Sequence, residues 1–272
     1  MMQNIMDMFS YSFMIRALIV GILVSLCSAL LGTSLVLKRY SMIGDGLSHV
    51  GFAALAIAYV TNLTPLAIAI PICVLAAFLL LRMNESSKIK GDAATALMCS
   101  GALAVGVMTV SLTTGMNTDV CNYMFGSILA MSKYDVRISI GLSIVVLILY
   151  ILFYPRIFAV TFDETFAKAT GTKSDFYNMI IALLTAITVV LGMRMMGTLL
   201  ISSLLVFPSL SAMRICKTFK SVTIVAVIIS VICFCVGVYI SYQYSAPTGS
   251  SIVIVNVVVF LICLVYEKRK ER

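Results

Sequence analysis

With 272 residues, of which 61% are hydrophobic and only 11% charged, and a mean hydropathy of +1.11, the chain lies far from the composition of soluble domains. Its net charge of +8 comes from short basic clusters beside apolar segments. Membrane topology explains that pattern better than a phosphate-binding stripe, so nothing supports nucleic-acid binding.

A membrane-spanning helix needs about 20 mainly apolar residues. In chain order the apolar runs predict an all-α, polytopic helical bundle of about nine spans, with eight to ten admissible. They fall at 12–37, 43–60, 65–81, 93–112, 136–154, 174–191, 196–213, 221–240 and 251–266. No basic region precedes the first run, which argues against a cleaved signal peptide. Within 113–135 the apolar core, Tyr123 to Met131, is too short to cross, and a re-entrant or partial helix is expected.

Basic residues set the orientation. With the N-terminus outside and the C-terminus in the cytoplasm, every lysine and arginine except Arg16, Lys133, Arg137 and Arg194 falls inside. The longest inner loop, 155–173, is too small for an enzyme domain. No GxxxxGK[ST] phosphate loop occurs, so ATP hydrolysis, if it drives the protein, is expected on a separate subunit. No repeat or linker divides the chain, and residues 1–272 read as one membrane domain. The eight cysteines, at 27, 73, 99, 121, 216, 233, 235 and 263, show no paired framework and read as core- or lipid-facing thiols.

The second span holds the only histidine, His49, four residues after Asp45. That spacing stacks the two side chains on one helical face. A charged carboxylate costs roughly 2.5–3.5 kcal/mol at the centre of a spanning helix, which makes the pair a candidate for function. Carboxylate and imidazole supply oxygen and nitrogen donors suited to divalent transition ions. Ser41 is expected to cap this helix, leaving Asp45 near its first turn and His49 about 6 Å further along the axis. Gly44, Ser48 and Gly51 form a small-residue stripe that lets another helix approach. A two-fold dimer would gather two Asp–His pairs around one axis. The plainer reading is a helix-start acid hydrogen-bonded to a neighbouring histidine. Two donors per subunit suit a site that a cation must also leave.

Later spans carry weaker signals. Pro208 is expected to kink its helix. Met193, Met195 and Met196 read as packing rather than soft metal contacts, and Arg194 as an interfacial anchor. The C-terminal EKRKER reads as a solvated tail.

Four segments together, in this order, resemble the permease subunits of ABC-type metal-ion importers, which take up zinc, manganese or iron(II). They are LVLKRYSMIGDGLSHVGFAALAIA (35–58), FDETFAKATG (162–171), GTLLISSLLVFPSLSAMRI (197–215) and APTGSSIVI (246–254). The resemblance implies a homodimeric or paired channel in the cell membrane, embedded in the lipid bilayer. It also implies cytoplasmic ATP-binding subunits and an extracytoplasmic metal-binding receptor. No cofactor is implied as permanently bound; the zinc, manganese or iron(II) ion is cargo. Asp45 and His49 fall on the family's candidate metal ligands, and Asp163, Glu164, Ala167 and Gly171 on its ATPase-coupling segment, within 155–173. Phe162, Phe166 and Ala169 alternate there with Asp163, Glu164 and Lys168 as in a short amphipathic surface helix, a shape that fits a partner's groove. Gly46 and Phe52-Ala53-Ala54 depart from family versions with bulkier or proline-containing sequence.

Two other readings compete. A permease for an iron chelate or cobalamin needs a wider pore and no bare Asp–His pair. A stand-alone proton-coupled metal transporter could use Asp45 and His49 without an ATPase. An embedded zinc hydrolase is a poor reading, since HExxH is absent. The chain is expected to be a transport subunit and not itself an enzyme.

Overall fold

In an apolar medium a backbone can satisfy its own N–H and C=O groups only by helix formation or barrel closure. The computed structural model describes residues 12–86, 91–112 and 133–270, and within them the chain is helical with no strand. The helices are α1 (Ser12–Leu37), α2 (Ile43–Val60), α3 (Pro65–Ser86), α4 (Gly91–Leu112) and α5 (Lys133–Phe162), followed by α6 (Glu164–Ala169), α7 (Ser174–Met196), α8 (Thr198–Ile215), α9 (Phe219–Tyr244) and α10 (Thr248–Lys270). Among the described residues nine helices, all but α6, are long and apolar enough to cross a membrane.

The central helix is α1, packed against α5, α7, α8 and α9. Val20, Val24 and Leu31 are fully enclosed there. The second hub is α2, which lies against α3, α4, α7 and α8, while α10 closes the far side on α8 and α9. By contrast α4 rests mainly on α2 and leaves Leu97, Val105, Met108 and Leu112 exposed. Some hydroxyls inside the bundle turn to carbonyls one turn back, as in Thr185 to Ile181 and Thr188 to Leu184, so these cost little in apolar surroundings.

Every expected span is a helix, and most run past the apolar windows because polar residues at their ends continue the turn. The largest difference is at Pro155. The inner loop expected from that residue is partly helical, since α5 continues through Pro155 to Phe162. Proline there forfeits one backbone bond and leaves the preceding turns intact. Pro208 likewise sits inside a continuous α8. Of the partial helix expected at 113–135, residues 113–132 lie outside the described residues, as does Cys121, and 133–135 begin α5.

Candidate functional site

The turn into α2 places the Asp–His pair. Arg39 takes a left-handed conformation (φ 61°), and Tyr40 N–H reaches back to the Leu35 carbonyl, ending α1 and reversing the chain. The helix then starts at Ile43 with Met42 as its N-cap and no side-chain cap. Ser41 therefore does not cap it: the turn's own backbone bonds, Ile43 N–H to Tyr40 O among them, fill that place. Asp45 falls in the first turn, where the helix dipole favours its charge.

Asp45 and His49 do share one face. His49 Nε2 lies 3.9 Å from Asp45 Oδ2, with the side chains 21% and 39% exposed. That separation exceeds hydrogen-bond reach and lies within ion-pair range for a protonated imidazole. Asp45 is steadied from α8 instead: Ser202 Oγ donates to its Oδ1 at 3.3 Å. Among the described residues His49 makes no side-chain hydrogen bond. A third donor, Cys99 of α4, stands beside them, with one ligand atom from each residue within 4.8 Å of the other two.

The small residues of α2 are consumed inside the chain. A Cβ on Gly44 would lie 2.5 Å from Leu205 Cδ1 of α8, and one on Gly51 would lie 2.4 Å from Met193 Cε of α7. These close approaches bring Ser202 to Asp45 and enclose Met193. Met193 and Met196 are core filler, as expected; the side chain of Met195 lies outside the described residues.

The segment around α6 builds that helix from both ends. Asp163 caps it by accepting from Phe166 N–H at 2.9 Å. Gly171, at φ +83°, closes it: Thr172 N–H bonds to Ala167 O and Gly171 N–H to Lys168 O. Ala167 is buried against the bundle. Glu164 accepts from Lys38 and from Lys168, each at 3.2 Å; Lys38 also donates to Asn178, and Lys168 reaches Asp175 at 3.0 Å. Burial alone would raise the Glu164 carboxyl's pKa. The Lys38 charge and hydrogen bonds from Asn178, Lys38 and Lys168 outweigh burial and hold it below the ordinary value. All four expected coupling residues thus shape or seat α6. What they leave outward is apolar, with Phe162 74% and Phe166 65% exposed.

Arg194 is not an interfacial anchor. Its guanidinium grips Asp135, in the first turn of α5, at 3.0 and 3.1 Å, with both side chains largely enclosed. The pairing partner came from the stretch whose fold was least legible. Cys99 and Ser202 are the other residues missed, because they reach α2 from α4 and α8 across long sequence separations.

Among the described residues, nine helices able to span a membrane pack around two hubs, with a polar pair on one face and a short seated helix, the architecture of a multi-pass cell-membrane protein. Residues 10–267 match the ABC 3 transport family, and the chain belongs to it. It is 29% identical to the "Manganese import system permease protein ScaB" of Streptococcus gordonii, over 95% of this chain and 92% of the relative. It is 34% identical to the "Probable iron transport system membrane protein" of Haemophilus influenzae, over 99% and 95%. Among solved structures, a chain of PsaBC from Streptococcus pneumoniae in complex with Fab superposes with a TM-score of 0.86 at 29% identity, covering 96% of this chain and 94% of that one.

Proposed function

We propose that this chain is the membrane permease of an ATP-driven importer of a divalent transition-metal ion, zinc, manganese or iron(II). Asp45 and His49 offer the ion a transient foothold on its way inward. Segment 155–173, through Asp163, Glu164, Ala167 and Gly171, presents α6 to a cytoplasmic ATP-binding subunit. The permease works as a homodimer, with its N-terminus outside, its C-terminus inside, and a metal-binding receptor delivering cargo from the outer side.

One observation carries the reading: an acid and an imidazole, half-buried, stand 3.9 Å apart on one helical face in a member of a family of transport permeases. Ser202 bonds one Asp45 carboxylate oxygen, and among the described residues the His49 imidazole makes no hydrogen bond, so both side chains keep donor atoms for an ion. The relatives named for manganese and iron carry cargoes that oxygen and nitrogen donors accept. A weak, two-donor foothold also permits exit.

The test is metal accumulation in cells whose only copy is Asp45→Ala or His49→Ala, with membrane levels of the chain measured in parallel. Uptake at background with normal levels supports the assignment; near-normal uptake in both variants removes it. Uptake that persists with no ATP-binding subunit present would assign the same pair to proton coupling instead.

A further inference from the structure

Cys99 completes the Asp45–His49 pair from a second helix. Its Sγ and one ligand atom of each partner lie within 4.8 Å of one another, and all three residues are half-buried. It is the one such convergence of histidine, cysteine and carboxylate among the described residues.

The helix crossing explains how a sulfur comes to be there. Thr95, Cys99 and Gly106 recur along the α4 face turned to α2. Opposite them, a Cβ on Gly46 would lie 3.0 Å from Thr95 Cγ2 and 3.8 Å from Cys99 Sγ. Further along, a Cβ on Gly106 would lie 2.5 Å from Phe52 Cε1 and 3.3 Å from Ala53 Cα. Each helix omits a side chain where the other presses closest, one contribution from α2 and one from α4. At Gly46 the tight approach is to Thr95, while Cys99 Sγ stands at ordinary van der Waals distance from where a Cβ would be, so the packing of the two helices leaves the sulfur room beside the pair.

A carboxylate and an imidazole alone accept manganese, iron(II) or zinc. Thiolate, the ligating form of cysteine, favours zinc strongly over manganese, whose preference is for oxygen. Three protein donors also leave one position of a tetrahedral site open for entry and exit. We propose that Cys99 is a third, specificity-determining metal ligand, biasing this path toward zinc over manganese. The proposal rests on the metal-path reading of Asp45 and His49.

Cobalt(II), a spectroscopic stand-in for zinc, tests it on the full-length chain in lipid nanodiscs. The unaltered chain should show thiolate-to-cobalt charge-transfer absorption, which Cys99→Ser removes while the weaker ligand-field bands persist. The other cysteines are present in both proteins, so the difference belongs to Cys99. Competition should show zinc weakened about tenfold or more by Cys99→Ser, by analogy with the cost of disturbing a ligand's support. Manganese should change less than about twofold, because it gains little from sulfur. In the unaltered chain zinc should protect Cys99 from maleimide, read on its own peptide by mass spectrometry. That readout needs no variant to fold.

Identical cobalt spectra in the two proteins, or labelling of Cys99 that zinc does not slow, overturns the third ligand and leaves the pair standing. Cobalt binding unaltered in both Asp45→Ala and His49→Ala overturns the pair itself. An unaltered chain that takes up no cobalt overturns both.

Discussion

The two polar clusters of this protein differ in what each lacks. Beside α6, Glu164 is engaged by Lys38 and Lys168, and those lysines are engaged in turn by Asn178 and Asp175. On α2, His49 stands 3.9 Å from Asp45, and among the described residues that carboxylate accepts a side-chain hydrogen bond from Ser202 alone. The first cluster is complete in polar contacts and unfinished in apolar cover, since Phe162 and Phe166 face outward. The second is well packed around its helix and unfinished in polar contacts. On the proposed reading each gap has its own occupant, a protein groove for the apolar face of α6 and a cation for the α2 pair.

If that contrast holds, substitutions on α2 should abolish transport at little cost in stability. Asp45→Ala or His49→Ala should reduce metal uptake to background while shifting unfolding by no more than about 1 kcal/mol, the usual net worth of a single hydrogen bond such as the one Ser202 gives Asp45. Thermal unfolding of the purified chain beside metal accumulation in cells checks both halves. A large destabilisation would make the pair scaffolding and erase the distinction. Next in size is Phe166→Asp. It places charge on the exposed apolar face without touching Glu164 or Ala167, so co-purification with the ATP-binding subunit should be lost. Metal binding by the isolated chain should remain.

How much of this could be read from residues follows from how far apart the interacting parts lie. The spans were legible because an apolar run of sufficient length has one outcome in a bilayer. The Asp45–His49 face was legible because an i,i+4 spacing fixes relative direction once the helix is granted. Cys99 was not: its place depends on how α4 crosses α2, which Gly46 and Gly106 decide only when both are seen together. The Arg194–Asp135 pair was hidden for the same reason, its members standing 59 positions apart in the sequence. The Ser41 cap failed on a local competition, because the left-handed turn at Arg39 supplies backbone partners that make a side-chain cap unnecessary.

A smaller effect separates the seat of α6 from its outward face. Asp163→Ala removes the bond to Phe166 N–H and should cost about 1 kcal/mol of local stability, the usual worth of an N-cap. Gly171→Ala should cost a similar amount, about 1 kcal/mol, although its methyl meets open space, because the strain lies in the positive φ. Both should raise amide exchange in α6 and weaken ATPase association only partly. If either abolishes association as fully as Phe166→Asp, the residue touches the partner directly and the division between seat and face is wrong.

The smallest expected effect is on acidity, and it probes the completeness of the inner cluster. The folded Glu164 pKa lies below its ordinary 4.5, so ionisation favours the seated helix. A group with a depressed pKa contributes its stability above the unfolded value and loses it as pH falls through the folded one. Amide protection of α6 attributable to this carboxylate should therefore be constant from neutral pH down to that ordinary value, then decline with further acid. Glu164→Gln should remove the acid-dependent part while keeping the side chain's shape, and should leave metal binding at Asp45 and His49 unchanged. If α6 in Glu164→Gln instead loosened with acid as the parent does, protonation elsewhere would be controlling its seat, and the self-sufficiency of this cluster, on which its contrast with the α2 pair depends, would be lost.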